Sequence, residues 1–399
     1  MIKQIFDKIN LFDVDVSLFR EFQNYNKNVK LAMISSIFVM SSNGLLISAI
    51  FSIFVKGIGG SNLIVGYVSF FGGLVLLIGI FPAGILADRF SRKISLRIGL
   101  LFTFFGFFFF YLSNSLFDIY ISFGIFNLGN AFIRPSRDAM IADSVVNNKR
   151  EKIYGQLFSL QSISNGLGPL IAVFLFLVIG DNWQINTMKQ VLFVGLFGLL
   201  IGIIIMFFMD DKYSLGSESE STINNNHNDD NITNIYQNKK FKILQFIKEN
   251  NFTLFIVFLG LIISIGAGMS VRFFPIFFKD YYNLPPTIVN FIYFLVALLT
   301  GLMAIIVTKY VNTVGKIESI ISVQLIAIIS LFIIALIPPL SILIPIFLIR
   351  GSFMNASQPV KNAMIMDLVP KRNRGIFQSL QVLSERFFGH FPLVLEEFY

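Results

Sequence analysis

The sequence predicts an all-α integral membrane protein made of two pseudo-repeated helix bundles. Three observations lead there. Apolar runs long enough to cross about 30 Å of hydrocarbon as helices recur along the chain. Charged residues make up only 14% of 399 residues, with a mean hydropathy of +0.74, whereas a soluble domain carries roughly a quarter. A motif near the middle of the first half returns near the end of the second.

Residues 1–30 read as a cytosolic tail, solvated or lying on the membrane surface. Lys3, Lys8, Arg20, Lys27 and Lys30 mix there with Asp7, Asp13, Asp15 and Glu21, without the apolar core and cleavage site of a signal peptide. An N-terminal bundle, 31–209, follows with helices at Leu31–Val55, Asn62–Ala87, Ile94–Ser113, Phe117–Val145, Tyr154–Ile179 and Met188–Met209. Residues 210–250 break the apolar pattern. The stretch SESESTINNNHNDDN cannot bury a core, which predicts a disordered cytosolic linker, and KKFKILQFIKE after it has the lysine-rich and apolar faces of an interfacial helix. The C-terminal bundle, 251–399, holds five helices, at Phe252–Phe278, Pro286–Val311, Ile317–Ile337, Leu340–Leu368 and Gly375–Phe398, which makes eleven in all.

Orientation follows from the loops. Arg89, Arg92, Lys93 and Arg97 follow helix two; Lys149, Arg150 and Lys152 follow helix four; Lys309 and Lys316 bracket the turn after helix eight; Lys371, Arg372 and Arg374 follow helix ten. The intervening loops carry few or balanced charges: Lys56, Asp118, Asp181, Lys189, and Lys279 beside Asp280. Even-numbered helices therefore end inside, and the N-terminus is cytoplasmic. The net charge of +8 reflects this bias and does not indicate nucleic acid.

The repeat pairs RPSRDAMIAD (Arg134–Asp143) with QPVKNAMIMD (Gln358–Asp367) at a constant offset of 224 (359 − 135). After a loop four residues shorter, Gly155, Ser159, Leu160 and Gln161 match Gly375, Ser379, Leu380 and Gln381 at an offset of 220 (375 − 155). Such matches mean two similar bundles related by an axis along the membrane normal.

Between helices two and three lies Gly84-Ile85-Leu86-Ala87-Asp88-Arg89-Phe90-Ser91-Arg92-Lys93. It resembles the signature loop of the major facilitator superfamily, except that Ser91 stands where the family has glycine. The second copy has decayed: Thr308 and Asn312 replace the first glycine and the aspartate, while Gly315 remains. The resemblance covers the chain from about Leu31 to its end. It implies secondary transport by alternating access. It also implies a conformational latch, in which Asp88 accepts N–H groups at the start of helix eleven, near Gly375, and Arg89 or Arg92 pairs with Asp143. A carboxylate at a helix N-terminus is a favourable arrangement in itself. These basic residues also fix topology.

Intramembrane charge marks function by default. Glu385 lies ten residues after Gly375, about 15 Å along a helix and so at the midplane. Its repeat mate is Asn165, and Gln381 and Gln161 stand one turn away on the same faces. Arg350 and Arg386 lie at similar depth, Arg134 somewhat nearer the cytoplasm, and Arg272 near the outer end of helix seven, where it could snorkel. Glu385, Gln381, Arg386, Arg350, Arg134, Gln161 and Asn165 are the candidate substrate or proton pathway. A structural Glu385–arginine pair that moves no proton is the alternative. The 48 phenylalanines read as lipid-facing bulk rather than a substrate cage.

No cysteine is present, His227 and His390 are isolated, and Gly57-Ile58-Gly59-Gly60 lacks the lysine of a phosphate loop, so no metal, cofactor or enzymatic role is expected. The expected protein is a monomeric multi-pass transporter of the inner or plasma membrane, carrying a small molecule with protons as the coupling ion. Drug or metabolite efflux is the direction the resemblance suggests, and a non-transporting receptor or assembly partner on the same scaffold is the rival. Subtracting 220 from 399 gives 179, the end of helix five, so the second half reads as one helix short. That predicts a truncated relative with reduced stability, unless a partner chain supplies the twelfth helix.

Overall fold

A computed structural model of the chain describes residues 22–89, 91–215, 251–361 and 364. The described chain is helical, as lipid requires of a spanning segment that must satisfy its own backbone. The helices are α1 (Lys27–Gly57), α2 (Asn62–Arg89), α3 (Arg92–Leu112), α4 (Leu116–Asp143), α5 (Asn147–Ile179), α6 (Ile185–Phe207), α7 (Asn251–Val271, continued by Phe274–Asp280), α8 (Pro286–Val314), α9 (Lys316–Ala335) and α10 (Leu340–Ala356). Ten of the eleven predicted helices thus fall among the described residues, nine of them long and apolar enough to cross a membrane. The eleventh, with Gly375, Gln381, Glu385 and Arg386, lies outside the described residues, as do 1–21 and 216–250.

Local chemistry sets the ends. Ser115 and Asp118 form a capping box at the start of α4, and the Ser91 hydroxyl accepts from the Ile94 N–H at the start of α3. A single residue separates α8 from α9: Gly315, at φ +101°, a backbone conformation that a side chain would strain.

Predicted helix seven is not continuous. It stops at Val271 and restarts at Phe274, leaving Arg272 and Phe273 in a turn. Pro275 explains the break, because its ring excludes the carbonyl of the residue four before it, Val271, and it has no N–H to give. At the start of the continuing segment the missing donor costs little. α1 is also irregular, with a π-helical turn at Leu46–Ile50. The repeat offset carries Arg272 and Phe273 onto Ser48 and Ala49 (272 − 224 and 273 − 224), inside that turn. Both bundles therefore interrupt their first helix at the same place.

Helices α1–α6 share one core, in which Phe51, Phe54, Phe107, Phe110, Phe123 and Phe126 are buried. The end of α7 packs with α8 and α10 in a second core around Phe278, Val289, Leu343 and Phe347. Phenylalanine is accordingly not only lipid-facing bulk. Phe81, Phe174 and Phe332 are exposed, as lipid-facing residues are, but Phe51, Phe54, Phe107, Phe110, Phe176 and Phe278 are fully enclosed. Small residues set the close crossings. A Cβ on Gly106 of α3 would fall 2.3 Å from the Phe126 nitrogen of α4, and one on Gly168 of α5 would fall 2.2 Å from the Ser41 carbonyl oxygen of α1.

Candidate functional site

The basic loops gather at one end of the molecule. There the start of α3 grips the ends of α4 and α6. Arg92 forms an ion pair with Asp143 and donates to the Ala139 carbonyl at 3.3 Å. Lys93 meets Asp210 at 2.6 Å, and the Ser91 hydroxyl donates to Asp211 at 2.8 Å. Asn28 joins the cluster from α1: its amide donates to Ser144 Oγ at 2.9 Å and to the Asp210 carbonyl at 3.0 Å, and its Oδ1 accepts the Asp210 N–H. The Lys93 ammonium, then the Lys212 N–H, hold the Asp210 carboxyl below the usual carboxylate range. Residues 210–215 are ordered against this end, with the Leu215 N–H donating to the Asp143 carbonyl at 2.9 Å.

Gly84 and Asp88 lie on α2, at this same end. A Cβ on Gly84 would meet nothing within 4 Å, and the same holds for Gly155 near the start of α5. The side chains of Asp88 and Arg89 lie outside the described residues.

The opposite end is closed between the two bundles. Lys56, at the end of α1, meets Asp280, at the end of α7, at 2.5 Å. Asp181, between α5 and α6, reaches across to α8, where its oxygens accept the Thr287 N–H at 3.0 Å and the Thr287 hydroxyl at 2.6 Å. The reason is local: the cap and first residue of α8 are Pro285 and Pro286, which have no N–H and no capping side chain. Thr287 therefore offers the helix's first free donor, and a carboxylate from the other bundle supplies the cap. Trp183 adds a hydrogen bond from Nε1 to the Leu284 carbonyl at 2.9 Å. Farther in, α5 and α8 touch where Gly166 faces Ala297, with room for no Cβ: one built there would stand 2.7 Å from that of Ala297.

At the level of the helix breaks the interior turns polar. Arg272, in the α7 turn, lays its guanidinium over the Phe51 ring of α1, 5.3 Å from the centroid, so it does not snorkel outward. Arg350 of α10 is buried, 7% exposed, with its guanidinium 5.2 Å from the Phe274 centroid and Nη2 3.4 Å from Ser270 Oγ. The Tyr293 hydroxyl of α8 is buried among these groups, feels the charge of both arginines, and has no hydrogen-bond partner among the described residues.

The sequence-predicted pathway residues do not all converge here. Gln161 donates to Ser36 on α1 at 3.3 Å, and Asn165, on the same helix, is exposed. Arg134 lines a separate cavity of about 20 Å³ inside the first bundle with Asn130, Arg137 and Thr103, room for a water. Tyr293 and the closing pairs Lys56–Asp280 and Asp181–Thr287 were not singled out from sequence, and Arg272 was set aside there as a residue that could snorkel. A signal for one of them existed: the offset of 224 links Lys56 to Asp280 (280 − 56).

A sequence profile described as Major Facilitator Superfamily matches residues 32–389. A "Na(+), Li(+), K(+)/H(+) antiporter" from Planococcus maritimus is 25% identical over 201 residues, covering 48% of this chain and 44% of that protein, so the match spans under half of the relative's length. Among solved structures, a D-xylose–proton symporter aligns with a TM-score of 0.68 at 14% identity, covering 92% of this chain and 88% of that one. A bacterial homologue of the human lysosomal transporter Spinster aligns with the same TM-score at 15% identity, covering 91% and 80%.

Proposed function

The chain belongs to the Major Facilitator Superfamily, and from that premise we propose that it carries a small molecule across the cell membrane by alternating access, coupled to protons, with its basic end in the cytoplasm. The observation that carries the reading is the closure of the far end by contacts between bundles, Lys56–Asp280 and Asp181–Thr287. On this reading the protein is closed outside, with open space around Gly84 and Gly155 at the basic end, and Arg272, Arg350 and Tyr293 form the polar floor between α1, α7, α8 and α10.

In the alternate state the cytoplasmic end closes. Gly84 lets the bundles approach and Asp88 caps the helix that starts near Gly375, while the Arg92–Asp143 pair, already formed in this structure, keeps the loop in register. Gln161, Asn165, Gln381 and Arg386 belong to the pathway, and Glu385 takes up and releases the coupling proton. The antiporter that resembles this chain carries the proton in its name, alongside Na(+), Li(+) and K(+), which supports a proton as one of the coupled ions. Export of a drug-like or metabolite substrate is the direction that the family membership suggests.

The experiment is a library screen on proteoliposomes carrying a trapped pH dye. A compound that drives proton movement only when the protein is present supports the reading. A protein that binds compounds but never couples them to proton flux, in either direction, contradicts it.

A further inference from the structure

Arg350, buried, and Arg272, half-buried, have more hydrogen-bonding capacity than the described structure uses. A guanidinium presents a planar fork of N–H donors and accepts none. Arg350 makes one long contact, to Ser270 Oγ at 3.4 Å, and the Ser270 hydroxyl gives its own hydrogen to the Gly266 carbonyl at 3.2 Å. Arg272 lies against the face of Phe51. Aromatic faces steady a cation but leave its N–H edges free. The Tyr293 hydroxyl beside them is a third buried donor without an acceptor among the described residues.

Positive charge at this depth needs a negative counterpart. Within 251–361 the acidic residues are Asp280 and Glu318. Asp280 is at the far end, paired with Lys56, and Glu318 is in the first turn of α9, at the basic end. In the first half, Asp181 is committed to Thr287, and Asp138, Asp143 and Asp210 are paired with Arg137, Arg92 and Lys93 near the basic end. Counting from the far ends of their helices, Arg272, Tyr293 and Arg350 all lie about 10–15 Å deep. They come from α7, α8 and α10, and Phe51 of the other bundle completes the wall.

We propose that Arg272, Arg350 and Tyr293 form the binding site for the anionic group of the transported molecule, a carboxylate or phosphate carried on an aromatic or apolar body. A guanidinium fork matches either group in bidentate fashion, the phenol adds a donor, and the rings of Phe51 and Phe274 accept the apolar part. Because Arg272 touches the first bundle through Phe51 while Arg350 sits wholly in the second, an anion held by both arginines ties substrate occupancy to the bundle interface. The inference rests on the transport reading for the use of the site, but not for whether the site binds anions.

The test is thermal stabilisation of the purified full-length protein by benzoate and phenyl phosphate, with benzamide as the neutral counterpart. Both anions stabilise the protein and benzamide does not. Arg350→Gln and Arg272→Gln each weaken the anion effect on the order of tenfold, as loss of a charged hydrogen-bond partner should. Arg350→Lys and Tyr293→Phe, which disturb folding less, weaken it by a smaller factor. Equal stabilisation by benzamide, or an anion effect that survives both glutamine variants, overturns the proposal. So does stabilisation seen only in Glu385→Gln, because the chain's own carboxylate would then occupy the arginines. Binding is read without a gradient, so the two readings fail separately. Proton-coupled flux of a neutral compound with no anion binding sinks the anion site alone; anion binding with no coupled flux of any compound sinks transport alone.

Discussion

Lys56 and Asp280 occupy equivalent positions of the two halves, 224 residues apart, and their side chains meet at 2.5 Å. The midpoint of two equivalent positions falls on the axis that relates the halves. A contact there must break whenever the bundles part at that end. The pair is partly exposed, 30% and 40%, so it is worth about 0.2–1 kcal/mol. Lys56→Ala or Asp280→Ala should therefore raise the population open at this end only about 1.4- to 5-fold, and the charge-reversed double variant should restore it. Accessibility of a cysteine placed at Ser61 reads the change.

Asp181 should matter more. It caps the α8 N-terminus from the other bundle, and losing a capping carboxylate costs about 0.5–2 kcal/mol. Asp181→Ala should raise the same accessibility about 2- to 30-fold. Thr287→Ala should have a smaller effect, because the backbone N–H still reaches the carboxylate. Equal effects from the two variants would show that the hydroxyl, not the helix end, is the partner.

How far these contacts could be read in the sequence depends on their scale. Ten helices were legible because each is an apolar run of membrane length, and orientation was expected from Arg92, Lys93 and their like. Hydropathy averages over a window and cannot see a single-turn break, so the α7 turn was missed although Pro275 marks it. The polar floor was half legible: Arg350 stands out as a charge in an apolar run, but Tyr293 becomes polar floor only because α8 turns it toward the arginines. Lys56 and Asp280 looked like ordinary loop charges because charge alone says nothing of what lies across the bundle interface.

The Lys93–Asp210 pair gives a pH signature. The Asp210 carboxyl is held below its ordinary value of 3.8, so its contribution to stability is complete above that pH. It is lost as pH falls through the lower, folded-state value. The melting temperature of Asp210→Asn should lie below that of the unmodified protein at neutral pH, with the difference closing only in strong acid. A difference that closes near pH 6 (roughly two units above the usual carboxylate range) would assign it to another group.

Gly84 has open space around it in this state. If the bundles close over it in the alternate state, Gly84→Val should leave the stability within about 1 kcal/mol of the unmodified protein, a helix-propensity effect only, while sharply reducing transport. Full transport by this variant would place the cytoplasmic closure elsewhere.

Glu385→Gln should abolish accumulation driven by a pH gradient and leave substrate exchange intact, because a carboxylate that cannot change charge cannot follow the conformational state. Retained pH-driven accumulation would show that the proton travels by another group.

Alternation itself is tested most directly by two spin-label distances in reconstituted protein. One pair, at Ser61 and Tyr281, spans the closed end; the other, at Ile94 and Ile317, both exposed, spans the basic end. On imposing and reversing a pH gradient, the account predicts that one distance lengthens as the other shortens. Two distances that change together, or neither changing under any gradient or ligand, would contradict it.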